Sequence, residues 1–408
     1  MKEKFKKNWS FYFLIYIFLL IFFGIFFLYS KHDVGNDSSI SDWLINYAGG
    51  FVRRGLVGEI SSYIAYFFSF KLRDVILFFQ IMVFTFYYIS IFIFFRNVKI
   101  NRIIILSIFS PIFILYPVAE IEVLGRKELF IFLIIISYFL CDIKNFITQL
   151  IFKVFLFPIS ILIWEPATIF FPYIILIDLI VFNVSRLNKY FFYITLSYFF
   201  LISVSIFIYL NPISSVDFKE MVNVLQQDFG ERCYMSCSFV GNQAENSFSE
   251  LIMPRLSQIK FSYVFRYLLV VLIGFFPLLI LLKNSKIKDE NKNVVLVSQF
   301  KSLLIPFILV FLPSLVLYFT MYDWARVVHI SYTFMILTYF FLYQQKLIFI
   351  NESNLSNHFL SKISKKTFLL VFLIFCFGWN PKVVMPDDVA SKPIYAIPYK
   401  FYKYFLKN

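Results

Sequence analysis

Long runs of Phe, Ile, Leu, Val and Tyr, broken by short polar clusters, fill most of the chain. The runs are continuous rather than alternating, so they predict buried or lipid-facing helices rather than half-exposed strands. Runs at 10–30, 74–95, 102–117, 128–142, 150–164, 167–184, 190–210, 262–282, 301–319, 327–343 and 367–381 approach or exceed bilayer length. The predicted fold is therefore all-α: a polytopic transmembrane bundle of about 11 spans. Segment 56–70, LVGEISSYIAYFFSF, is short for a span and carries Glu59 and paired serines.

Charge decides how that segment is read. If 56–70 does not cross, the loops on one side are much denser in lysine and arginine, as cytoplasmic loops are. If it crosses, every later loop inverts and the bias reverses. The segment is thus expected to be a juxtamembrane helix on the outer face, with the N-terminus inside and the C-terminus outside. The first apolar run follows MKEKFKKNW and precedes SKHD, with no small-residue cleavage site, so it reads as an uncleaved first helix. The chain reads as one integral membrane domain, 1–408, with a first outer loop at 31–73 and a long outer loop at 211–261.

Composition agrees. Of 408 residues, 60% are hydrophobic and 15% charged, and the mean hydropathy is +0.78, far from a soluble domain. The net charge of +14 would suggest nucleic acid in a soluble protein, but topology explains much of it here and no nucleic-acid signature is present. Neither a phosphate-binding Gly-rich loop nor an HExxH or GxSxG motif occurs, so no cofactor or metal is expected. Few carboxylates interrupt the spans, which disfavours an ion-coupled pump.

On this topology the polar clusters fall on one face. NYAGGFVRRGL, residues 46–56, sets Arg53 and Arg54 among three glycines. Glycine permits tight turns, and the planar guanidinium fork matches phosphate oxygens. Arg126, Lys127 and Glu128 follow Gly125 and form a second basic turn, with Glu128 suited to a helix N-terminus. Glu165 in WEP could act as a base, orient a sugar hydroxyl or pair with one of these arginines. Asp323 and Arg326 in MYDWAR are spaced for an ion pair. Asp33, Asp37 and Asp42 crowd the first outer loop, and Asp42 opens the amphipathic stretch DWLINY. Cys233 and Cys237 share one polar loop and are disulfide candidates in an oxidising compartment.

GGFVRRGL, GRKE, WEP and DWAR, in that order, resemble the motifs of bacterial O-antigen or capsule repeat-unit polymerases, which are polytopic inner-membrane proteins. Trp164 stands where a histidine is expected and Ala325 where a glycine is expected. The first outer loop, with its juxtamembrane segments, also resembles the glycosyltransferase C superfamily. The resemblance implies a bacterial inner-membrane glycosyltransferase that polymerises an undecaprenyl-diphosphate-linked oligosaccharide at the periplasmic face. Asp42, Glu165, Arg53 and Arg54 would be catalytic, the arginines stabilising leaving-group charge and Asp42 or Glu165 handling the acceptor, while Arg126, Lys127, Glu128, Asp323 and Arg326 would bind diphosphate and glycan. Expected partners are the lipid bilayer, the lipid-linked glycan and a chain-length regulator. The alternatives are a transferase using a polyprenyl-phosphate sugar, and a flippase for the same glycan.

Overall fold

A computed structural model describes residues 2–32, 38–182, 195–245, 248–288, 300–383, 390–391 and 393–407. Those residues are overwhelmingly helical, and the strands are two short antiparallel pairs, Ser285–Ile287 with Ile348–Ile350 and Asn380–Pro381 with Ala390–Ser391. The all-α membrane bundle expected from the apolar runs is present in outline. Five helices among the described residues are long and apolar enough to cross a membrane: Trp9–His32, Leu72–Phe95, Phe146–Ile163, Phe261–Lys283 and Trp324–Gln344. A sixth span is possible if Thr195–Leu210 and Ser215–Phe229, bent by 95°, count as one. Leu56–Phe68, Glu128–Leu140 and Leu304–Thr320 are apolar but shorter.

Local sequence explains several breaks. Leu56–Phe68 has 13 residues, about 20 Å at helical rise, well short of a hydrocarbon core. It stops at Ser69, which adopts a left-handed φ of 55° and returns its amide to the last turn. Phe146–Ile163 contains a π-helical segment, Ile151–Leu156, that ends two residues before Pro158. Proline has no amide proton and its ring crowds the preceding turn, so the regular ladder shifts there.

The chain divides into two compact units. The first comprises Met1–Arg96, Ile121–Thr168 and Ser197–Ser257. In it, Leu72–Phe95 packs between Lys2–His32 and Glu128–Leu140. Leu56–Phe68 lies on Leu72–Phe95 and Phe157–Ile163, and Ser236–Glu245 meets both Ser38–Trp43 and Ser215–Phe229. The buried interior is aromatic, with Phe13, Phe27, Phe84, Tyr87 and Tyr88 nearly inaccessible.

The second unit comprises Asn97–Glu120, Ile169–Leu196 and Gln258–Asn408. Its centre is Trp324–Gln344, whose apolar window is 100% buried inside the protein, unlike those of the other long helices, which are 33–44% buried. Pro172–Val181, Phe261–Lys283 and Leu304–Phe311 pack around it. Phe170 stacks on Phe334 with centroids 4.7 Å apart. Gly274 lets Phe261–Lys283 approach Ile112, and Ser110 Oγ donates to the Gly274 carbonyl at 2.9 Å.

Candidate functional site

The first unit gathers a charged cluster from four separated stretches. Residues 46–55 form a compact turn. The Asn46 side chain accepts from the Ala48 amide at 3.0 Å, and the Glu59 carboxylate accepts from the Tyr47 amide at 2.8 Å. Gly50 has φ +125° and Gly49 sits against the Asp217 carbonyl, where a Cβ would come within 1.9 Å. The glycines are therefore required by backbone shape and close approach.

Arg54 itself adopts φ +64°. A non-glycine residue there costs about 1 kcal/mol or more, so something must hold it. Lys127 Nζ donates to the Arg54 carbonyl at 2.6 Å, and the Arg54 guanidinium donates through Nε and Nη2 to Glu165 at 2.6 and 2.8 Å. Arg53 Nη1 reaches the same carboxylate at 3.2 Å. One carboxylate thus anchors both adjacent arginines, a bidentate pair on one side and a single contact on the other.

The partners are largely sequestered: Glu165 is 19% exposed, Arg54 16% and Arg53 29%. Lys127 is fully buried, as is Asp42 in the short helix Ser38–Trp43. Burial would raise the Glu165 carboxyl, but the Arg54 and Arg53 charges outweigh it and bring it down to about 2. Burial drives the Lys127 ammonium down to about 8, opposed mainly by the negative charge of Asp42 and reinforced by Arg54. Burial also lowers Arg53, and although Glu165 works against this, the positive charges of Arg54 and Arg255 add to it. At neutral pH the cluster holds a carboxylate, two guanidiniums and an ammonium, with Asp42 and Glu128 within electrostatic reach of Lys127.

The GRKE turn is held from beneath. Gly125 has φ +72°, and its carbonyl accepts from Trp43 Nε1 at 2.8 Å and from Gln80 Nε2 at 3.2 Å. Glu128 begins Glu128–Leu140 and is buried at its first turn. Arg126 points elsewhere in the unit. Its Nε donates to the Glu122 carbonyl at 2.9 Å, and its Nη1 reaches Ser236 Oγ at 3.3 Å. Ser236 lies between Cys233 and Cys237, which are disulfide-bonded with Cα atoms 5.2 Å apart. The same turn is tied down by Arg73, which forks onto Glu231 at 2.7 and 3.1 Å.

The sequence matches no protein-family model, and comparison with curated proteins and with solved structures returns no match. The site must be read from its own geometry.

Asp42, Arg53, Arg54, Lys127, Glu128 and Glu165 are brought together, with Arg126 turned towards the 233–237 loop. Asp323 and Arg326 belong to the second unit, where Arg326 is buried and donates to Asp323 at 3.0 Å. Their neighbours there include Tyr116, Glu120 and Tyr267. Asp33 and Asp37 lie outside the described residues. Two further members were not among the sequence's site candidates. Glu59 braces the turn, and Arg255, stacked over Phe239 at 4.5 Å, adds positive charge near Arg53. Glu59 closes the stretch GGFVRRGLVGE and was visible as a carboxylate in an apolar segment, whereas Arg255 is far from every motif in sequence.

Proposed function

We propose that the protein is a membrane-embedded glycosyltransferase that polymerises a polyprenyl-diphosphate-linked oligosaccharide, at the outer face of a bacterial inner membrane, in surface-polysaccharide synthesis. The observation that supports this reading best is the convergence of Arg53 and Arg54 on Glu165, locked by Lys127 on the Arg54 carbonyl. Two guanidiniums held side by side beside a buried ammonium form a preorganised cradle for a diphosphate. Arg53 makes the fewer contacts with Glu165 and is the more exposed, so it offers donors to the departing diphosphate.

The carboxylates then have different roles. Glu165 is occupied by two arginines and held at about 2, so it is a weak base and a strong positioning group. That leaves Asp42, within electrostatic reach of Lys127, as the acceptor base of this reading. In the transfer, the acceptor hydroxyl oxygen bonds to the anomeric carbon of the donor sugar. The bond from that carbon to the diphosphate oxygen breaks with its electron pair, and the hydroxyl proton passes to Asp42. The arginines and Lys127 stabilise the charge that builds on the polyprenyl diphosphate.

The test is Arg53→Ala and Arg54→Ala in cells lacking the native copy, scored by surface-glycan length on gels and by membrane abundance of each variant. Loss of long chains at normal abundance is expected. Normal chain length from a normally abundant Arg53→Ala would defeat the reading.

A further inference from the structure

A separate basic cavity lies in the second unit. It measures about 920 Å³ and is lined by 97–102, Lys288, 343–350 in part, and residues of the 352–361 stretch. Among the described residues four cations line it, Lys99, Arg102, Lys288 and Lys346, against one carboxylate, Glu352.

Two of those charges are already engaged. Lys99 pairs with Glu352 at 2.7 Å. Arg102 donates through Nη1 to the carbonyls of Leu360, Ser361 and Ile363 at 3.2, 3.2 and 2.6 Å, and lies over Phe368 at 5.1 Å. Arg102 therefore builds the wall. Lys288 and Lys346 contribute charge that Glu352 does not offset, so the described lining carries a positive excess.

The frame places this cavity at a particular level. Phe261–Lys283 runs directly into strand Ser285–Ile287, and Trp324–Gln344 runs into Ile348–Ile350. The two strands pair antiparallel, Ser285 with Ile350 and Ile287 with Ile348. Two helices of membrane length thus end at one boundary, and Lys288 and Lys346 flank the strands that tie them. Apolar residues Ile100 and Phe349 share the lining with the lysines, and Phe349 is 42% exposed. A cavity that is basic, partly apolar and set where spanning helices leave the bilayer matches the phosphate of an anionic lipid headgroup with its glycerol region.

We propose that this cavity is a phosphate-binding site for an anionic phospholipid headgroup, held by Lys288 and Lys346 with Lys99 at the rim. The proposal is independent of the glycan reading, because it uses none of the residues of the first unit.

The test uses the purified full chain in neutral detergent, with intrinsic fluorescence following Tm. Dihexanoyl phosphatidylglycerol, dihexanoyl phosphatidylcholine and inorganic phosphate are titrated separately. The variants are Lys288→Gln, the double Lys288→Gln/Lys346→Gln, and Lys286→Gln, which is on the same strand but does not line the cavity. Phosphatidylglycerol is expected to raise Tm in the wild type and in Lys286→Gln. Its apparent affinity should fall roughly tenfold in the double variant, with Lys288→Gln between. Phosphatidylcholine should give no saturable shift. A lysine-dependent shift from inorganic phosphate alone supports the anion site but assigns it to free phosphate rather than lipid. Equal shifts in the wild type, Lys288→Gln and the Lys288→Gln/Lys346→Gln double variant, or no shift from either anion, would overturn the proposal.

Discussion

At the scale of single residues, Glu165 bears the most. Its carboxyl is held at about 2 against an ordinary 4.5, because Arg54 and Arg53 overcome the effect of burial. A folded-state pKa below the unfolded one stabilises the fold above the unfolded value, and that stabilisation is lost as pH falls from about 4.5 towards 2. The largest contribution consistent with this is about 3 kcal/mol near neutral pH. Glu165→Gln should therefore lower Tm at pH 7 and narrow the gap between pH 7 and pH 3, measured in detergent on both proteins. An unchanged gap would mean the ion pairs contribute nothing to acid sensitivity. Lys127 carries the opposite consequence. Burial takes it to about 8, below an unfolded 10.5, so the unfolded chain binds the extra proton between those values and stability rises with pH there. Lys127→Met should flatten that rise in the same assay. The pairing of Glu165 with arginine was legible from the sequence, because a carboxylate between apolar runs needs a cation. The turning of Arg126 towards Ser236 was not legible, since it depends on where a loop more than a hundred residues away docks.

At the scale of elements, apolar runs marked a helical, membrane-type chain, because continuous hydrophobicity is a property of the segment itself. Among the described residues, however, five or six helices, not eleven, reach spanning length, and the run 102–117 breaks into Arg102–Ile108 and Tyr116–Ala119. The runs could not set where a helix bends or stops. Ile151–Leu156 turns π-helical and Leu304–Thr320 carries a 3-10 turn at Pro313, both inside runs that read as uninterrupted. Tight backbone approach was equally hidden. Gly58 lies inside Leu56–Phe68, where intrinsic propensity favours alanine by about 1 kcal/mol. A Cβ there would lie 1.9 Å from the Ile45 carbonyl oxygen and 2.7 Å from that of Trp43. Both are backbone atoms and cannot rotate away, so packing should win. Gly58→Ala is expected to destabilise by about 1–3 kcal/mol, seen as a lower Tm, and to loosen the turn that carries Arg53 and Arg54. A rise in Tm would show that the helix shifts freely away from residues 43–45. Gly230 supplies the contrast. Nothing lies within 4 Å of its Cβ position, so Gly230→Ala should cost only the left-handed conformation, about 1 kcal/mol.

At the scale of the whole molecule, the question is which groups face which side of the membrane. The five long apolar helices are compatible with a multi-pass membrane protein, and the sided reading comes from charge density in the loops. Within the first unit the reading has a sharp chemical consequence. Glu128–Leu140 starts beside Lys127, in the arginine cluster, and ends at Cys141, which is exposed. The positive-inside reading takes this 13-residue helix as a crossing although it is no longer than Leu56–Phe68, and on that reading Cys141 faces the side opposite the cluster. The Cys233–Cys237 disulfide belongs to the loop assigned outside, and disulfides persist only where the compartment is oxidising. In spheroplasts, a membrane-impermeant maleimide should therefore leave the protein unlabelled. A permeant maleimide should label Cys141, while Cys376 is buried and should react with neither. After mild reduction and removal of the reductant, the impermeant reagent should add at Cys233 and Cys237, and Cys141→Ser should abolish only the permeant signal. Impermeant labelling of Cys141 in intact spheroplasts would show that Glu128–Leu140 does not cross with the cluster outside, and free thiols at 233 and 237 before reduction would place their loop, with the arginine cluster of the same unit, on the inner side. A lipid-linked glycan presented at the outer surface could not then reach it.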